Sequence, residues 1–99
     1  MHRLCAFAIG PAGALTPIGE PAILPQRPIH HSVDRDGEFV LTCYNTPSNL
    51  TVHSINSDGT VGPVIEQASG LDLGIYAHQI VALPNNRAVL MVTRGNRPG

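Results

Sequence analysis

Histidine is the side chain that gives or takes a proton near neutral pH, and two histidines of this sequence recur in matching surroundings. One is His30, in Pro28-Ile29-His30-His31-Ser32; the other is His78, in Tyr76-Ala77-His78-Gln79. Each opens a run rich in Val, Ile and Leu. The recurrence points to acid–base work at a shared site, with a structural rival in which each imidazole only hydrogen-bonds between neighbouring sheets. Arg94, in Val92-Thr93-Arg94-Gly95-Asn96, carries a guanidinium able to grip a carboxylate or phosphate bidentately, or simply to lie solvated. Tyr44 and Asn45 close an earlier run and offer neutral hydrogen-bond partners, although Pro47-Ser48-Asn49 after them makes Asn45 a turn candidate too. Gln79, beside His78, joins the substrate-binding candidates. Strand alternation turns His31 away from its neighbour, to pack between sheets. His53 falls elsewhere and receives no role.

The composition removes several other chemistries. Lysine is absent, and six arginines nearly balance seven acids, so no basic stripe exists to bind nucleic acid. The same absence removes P-loop and Schiff-base chemistry. Cys5 and Cys43 sit in separate apolar runs without C-x-x-C spacing, and both are expected to be buried small hydrophobes. No carboxylate cluster has the ligand count of a metal site, and neither a metal nor a cofactor is expected. Asn49-Leu50-Thr51 matches a glycosylation acceptor but reads as a hairpin corner. Met1-His2-Arg3 before an apolar run imitates a signal peptide, which Gly10-Pro11 interrupts. No stretch approaches the roughly 20 apolar residues of a membrane helix. The expected compartment is the cytoplasm, with no membrane partner.

The elements that position these residues come from a repeat. Leu4, Ile9, Gly13 and Pro17 coincide with Leu50, Ile55, Gly59 and Pro63, an offset of 46 residues. His30 to Leu41 resembles His78 to Leu90, an offset of 48 to 49 that sets His30 against His78. Periods of this size mark propellers and solenoids. Short β-branched runs alternate with Asp-Gly and Asn-Asn turn signals, and helical spacing is missing. Strands are placed near 4–9, 15–23, 30–34, 39–45, 50–56, 61–67, 77–83 and 88–93. Asp34 to Gly37 and Asp58-Gly59 are hairpin turns. The fold is therefore all-β, a β-propeller fragment of about two four-stranded antiparallel blades. Residues 1–27 form the outer part of one blade, 28–70 a full blade and 71–99 the inner half of the next. Two blades cannot close a ring of 4 to 8, so the sequence reads as part of a longer frame, with self-association possible through exposed blade edges.

Pro28-Ile29-His30-His31-Ser32-Val33-Asp34 with Gly37-Glu38-Phe39-Val40-Leu41, then Gly59-Thr60-Val61-Gly62-Pro63 and Ala77-His78-Gln79-Ile80-Val81, resembles the seven-bladed β-propeller lactonases. Gly13-Ala14-Leu15-Thr16-Pro17-Ile18-Gly19 extends the likeness to the N-terminal stretch. That family includes the bacterial propeller-type 6-phosphogluconolactonases and, more distantly, the fungal carboxy-muconate cycloisomerases. The resemblance implies seven blades and hydrolysis of a sugar lactone in carbohydrate metabolism, with His30 and His78 at the family's histidine positions. A histidine would deprotonate water, and arginine or backbone donors would hold the oxyanion. Thr93-Arg94 departs from the many relatives with an aspartate near that point, and a family member is longer by several blades. A muconate-type lactonising isomerase and a non-catalytic binding propeller are the alternatives.

Overall fold

The computed structural model describes residues 1–95; the end of the expected 71–99 stretch, residues 96–99, lies outside the described residues. Among the described residues, eight strands form three antiparallel sheets. β1 (Arg3–Ile9) pairs with β2 (Leu15–Ile23); β3 (Pro28–Val33), β4 (Phe39–Asn45), β5 (Ser48–Ile55) and β6 (Val61–Ile65) form a sheet in sequence order; β7 (Ala77–Ala82) pairs with β8 (Val89–Thr93). This is part of a propeller, with a complete blade between two half-sheets.

Turn chemistry sets the hairpins. Asp34 Oδ1 accepts the N–H groups of Glu38 and Phe39 at 2.7 and 2.8 Å, folding its side chain over a turn that Gly37 completes at φ 71°. Asp58 Oδ1 likewise accepts the Thr60 N–H and hydroxyl, with Gly59 at φ 88°. Left-handed backbone at these points favours glycine. The β4–β5 connection is tighter than Pro47-Ser48-Asn49 implies. Asn45 lies opposite Ser48, so Thr46 and Pro47 alone make the turn and Asn49 is already in strand.

The repeat has two fixed offsets. Between the inner hairpins, Asp34 N–H to Phe39 C=O recurs as Leu83 N–H to Ala88 C=O, and Gly37 to Asp34 as Asn86 to Leu83, a constant shift of 49. Between the outer hairpins, Gly10 N–H to Ala14 C=O recurs as Asn56 to Thr60, and Gly13 to Gly10 as Gly59 to Asn56, a shift of 46. One expectation changes as a result: the inner shift sets His30 against Gln79 and His78 against Ile29, so the two histidines are one residue out of step.

The core lies between the stacked sheets. Leu41 and Cys43 of β4 face Ala77, Ile80 and Ala82 of β7, with Leu50, Val52 and Met91 packed around them. Burying an aliphatic side chain of this size contributes about 1.5–3 kcal/mol. The turns of successive sheets are also tied: Asn86 Nδ2 donates to Asp34 Oδ2 and Asp36 Oδ2, and Arg35 donates its N–H to Asn86 Oδ1 and its Nη2 to the Ala82 carbonyl. Burial pushes the Asp34 carboxyl up, but the bonds from Asn86, Phe39 and Glu38 outweigh it and hold it below its ordinary value. Cys5 departs from expectation. Cys43 is buried but Cys5 is exposed, because β1 lies on an edge with no further strand beside it among the described residues.

Candidate functional site

The inner strands β3 and β7 run next to each other, and both begin with an irregularity. Pro28 and His30 lie opposite the adjacent residues Tyr44 and Cys43, leaving Ile29 as the extra residue; Ala77 and Gln79 lie opposite Thr93 and Val92, leaving His78 as the extra one. A bulge of this kind re-aims a side chain out of the strict alternation of the strand. His78 is exposed on its bulge, and Gln79 beside it is exposed as well.

His30, half-buried, reaches across to the next sheet. Its Nδ1 accepts the Ile80 N–H at 3.2 Å, while Ser32 Oγ donates to the Ile80 carbonyl at 2.6 Å. Ile80 lies in the middle of β7, and its backbone groups are held by two side chains from β3. With Nδ1 occupied as an acceptor, the neutral imidazole carries its proton on Nε2. His30 is thus set up as a donor.

The remaining candidates lie at the same end of the stack, where β4 and β8 finish. Arg94 follows β8, its backbone N–H donating to the Tyr76 carbonyl at 3.0 Å. Its guanidinium lies 4.8 Å from the Tyr76 ring centroid, a cation–π contact that orients the exposed charge. Tyr76 also lines a cavity of about 460 Å³ together with Asn45, Ser48 and Gly74. Asn45 is buried, and its Oδ1 accepts the Thr46 hydroxyl at 3.1 Å. Tyr44 has no exposed surface at all; its hydroxyl bonds Thr51 Oγ1 at 2.7 Å, and burial pushes the phenol above its ordinary value. The backbone thus sets His30 on the strand beside β7, places His78 and Gln79 at the start of β7 and Arg94 just after β8, and withdraws Tyr44 into the sheet stack.

Two residues near these candidates escaped the sequence reading. Ser32 is visible only as part of the histidine motif, and nothing in one sequence says that a serine will hold a carbonyl of the neighbouring sheet. Arg3 joins Cys5, His30, His31 and Thr42 around a cleft of about 300 Å³. Its place in Met1-His2-Arg3 resembles the start of a leader, which hides it. His31 is exposed in that cleft rather than packed between sheets. Among the described residues no group of three His, Cys, Asp or Glu could hold a metal ion, and no helix is long and apolar enough to cross a membrane.

His53 has no candidate role in chemistry, but it is 3% exposed, and its Nδ1 has no hydrogen-bond partner among the described residues. Burial holds its imidazole below the ordinary histidine value of 6.5. As pH falls through that value the unfolded chain takes up a proton that the folded chain resists, so stability is expected to rise with pH in this window. Urea midpoints at pH 7.5 and 5.5 measure it. A His53→Leu variant should show the smaller drop on acidification; an equal drop in both chains would refute the assignment.

The chain matches the family described as "Lactonase, 7-bladed beta-propeller" over residues 1–96. It belongs to the seven-bladed β-propeller lactonases. Two 6-phosphogluconolactonases are similar to it. That of Pectobacterium carotovorum subsp. carotovorum is 37% identical over 87 residues, covering 88% of this chain and 25% of the relative. That of Pectobacterium atrosepticum is 37% identical over 70 residues, covering 71% of this chain and 21% of the relative. The chain thus spans about a quarter of the length of these curated relatives. No solved structure gives a significant match. Within this family's fold, the strands described here supply one four-stranded sheet and two flanking hairpins.

Proposed function

We propose that this chain forms part of the active rim of a lactonase that hydrolyses a sugar lactone such as 6-phosphogluconolactone. What supports the reading is the family match together with the divided states of the two imidazoles at the rim. His30 is committed at Nδ1 and offers Nε2–H, the form suited to donating a hydrogen bond to the lactone carbonyl as negative charge gathers on its oxygen. His78, exposed on its bulge, is free to take a proton from the attacking water. Arg94, steadied on the Tyr76 ring, anchors an anionic group of the substrate. Water adds to the carbonyl carbon, the ring C–O bond breaks, and the proton held by His78 returns to the leaving alkoxide.

Lactone opening followed by acid release gives the test. His78→Ala is expected to lower kcat/KM by roughly 10²–10⁴, the usual contribution of a positioned base, and Arg94→Ala to raise KM chiefly. Unchanged hydrolysis in the His78 variant would remove it from the mechanism.

A further inference from the structure

Among the described residues, Ala12, Asn86 and Tyr76 are the non-glycine positions with left-handed backbone. The first two sit in hairpin turns, between β1 and β2 and between β7 and β8, where the chain reverses and such residues are ordinary. Tyr76, at φ 66°, does not. It ends the crossing from β6 and stands directly before β7. A bulky aromatic residue disfavours this conformation, and the repeat shows that entry to an inner strand does not require it. By the shift of 49, the matching residue before β3 is Arg27, whose backbone is not left-handed.

Hydrogen bonds on both sides hold Tyr76 in place. Its carbonyl accepts the Arg94 N–H at 3.0 Å, and the Ile75 carbonyl accepts the Gly95 N–H at 2.9 Å. Ser48 Oγ donates to the Leu73 carbonyl at 2.6 Å and accepts the Ala77 N–H at 3.1 Å. Gly74 packs closely as well, since a Cβ there would lie 2.8 Å from Thr93 Cγ2. Strain that the surroundings over-determine in this way concentrates at ligand-binding and catalytic sites. What it sets here is the ring, 4.8 Å from the exposed Arg94 guanidinium. The same ring, with Asn45, Thr46, Pro47 and Ile75, lines the cavity of about 460 Å³ between the β4–β5 turn and the β6–β7 crossing. That volume is within the roughly 300–1,000 Å³ of small-molecule sites. At the places matching Tyr76 and Arg94 the complete sheet has Arg27 and Asn45, so the aromatic–arginine pair is not a general feature of the repeat.

We propose that Tyr76 is a specificity-determining residue, held in left-handed backbone so that its ring fixes Arg94 beside this cavity for the phosphate of a sugar seated in it. The inference rests on the reading of Arg94 as the anion anchor. A guanidinium on a flexible stem loses rotamer freedom when it grips an anion; one already lying on an aromatic ring has given up much of that freedom before the ligand arrives. Pro47 and Ile75 offer apolar surface to the C–H face of a sugar ring, and the Thr46 hydroxyl and Asn45 carboxamide offer hydrogen-bonding groups to its hydroxyls. A phosphorylated sugar therefore gains over its uncharged-tail counterpart.

Binding of 6-phosphogluconate and of gluconate, followed through backbone amide NMR shifts of the chain, tests this alongside urea unfolding. The unmodified chain is expected to prefer 6-phosphogluconate. Tyr76→Leu is expected to weaken 6-phosphogluconate by about fivefold, the scale of a cation–π contact at an exposed site, with little change for gluconate. Tyr76→Phe, which keeps the ring, restores the preference. With Arg94→Gln already present, Tyr76→Leu adds nothing, because the tyrosine acts through the arginine. Tyr76→Gly also loses the preference but unfolds at a higher urea concentration than Tyr76→Leu, since glycine adopts left-handed backbone without penalty. The proposal is overturned by any of four results: no preference in the unmodified chain, the same preference in Tyr76→Leu, a Tyr76→Leu effect that persists in full without Arg94, or a lower midpoint for Tyr76→Gly than for Tyr76→Leu. This binding pattern without opening of any lactone would sink the lactonase reading and leave the role of Tyr76 standing.

Discussion

Replacing Tyr44 by alanine is expected to destabilise the chain by about 3–5 kcal/mol, the range for deleting a fully buried aromatic ring. The ring has no solvent-exposed surface, and its removal leaves a cavity within a close-packed stack. The same change also strands Thr51 Oγ1, which the Tyr44 hydroxyl now bonds. Tyr44→Phe keeps the ring and removes only that bond, so its expected cost is smaller, about 0.5–2 kcal/mol. Urea unfolding of both variants measures the two contributions. About a third or more of the stability of a chain of this size is at stake in the alanine variant, given the 5–15 kcal/mol typical of folded chains. A midpoint in Tyr44→Ala equal to that of the parent would show that the residue serves a surface instead, as its sequence position at the end of a strand first suggests.

Ile80→Ala carries the second large effect, a loss of about 2–5 kcal/mol. Its side chain is fully buried at the centre of the contact between β4 and β7. The substitution leaves its N–H and C=O in place, so the grip of His30 and Ser32 on the backbone is retained while the packing beneath it is lost. Ser32→Ala does the reverse, removing one bond and no core volume, and should cost about 1–3 kcal/mol. If packing dominates the joint between these sheets, Ile80→Ala lowers the urea midpoint well below that of Ser32→Ala. The opposite order would mean that the two side-chain bonds, and not the aliphatic contact, hold the sheets together.

Strand positions were the most legible part of this fold, because β-branched runs and Asp-Gly turns act locally and each hairpin closes on its own chemistry. Asp34 and Asp58 do in space what their sequence neighbours imply. What sequence could not supply was the irregularity at the start of each inner strand. An extra residue in β3 falls on Ile29 and in β7 on His78, and matching letters alone aligns the two histidines that backbone register sets one apart. Solvent exposure was equally hidden. Cys5 and Cys43 lie in similar apolar runs, but β4 has a strand on either side and β7 packed against Cys43, whereas β1 lies on an edge among the described residues. The bond from His30 is of the inter-sheet kind that the recurrence allows, but its partner Ile80 and the second bond from Ser32, 50 and 48 positions away, depend on strand register that the letters do not carry.

The unequal shifts of 49 and 46 have a genetic corollary. Each hairpin is sealed by its own turn, so the difference of three between the two shifts falls in the connections: four residues separate β2 from β3 and eleven separate β6 from β7, and the other four of the seven extra residues arise because β6 ends four positions short of the place where β2 ends. Insertions and deletions that accumulated after duplication of an ancestral unit could settle in these crossings without disturbing any ladder. Length polymorphism among descendants of such a gene is therefore expected to concentrate around residues 66–76.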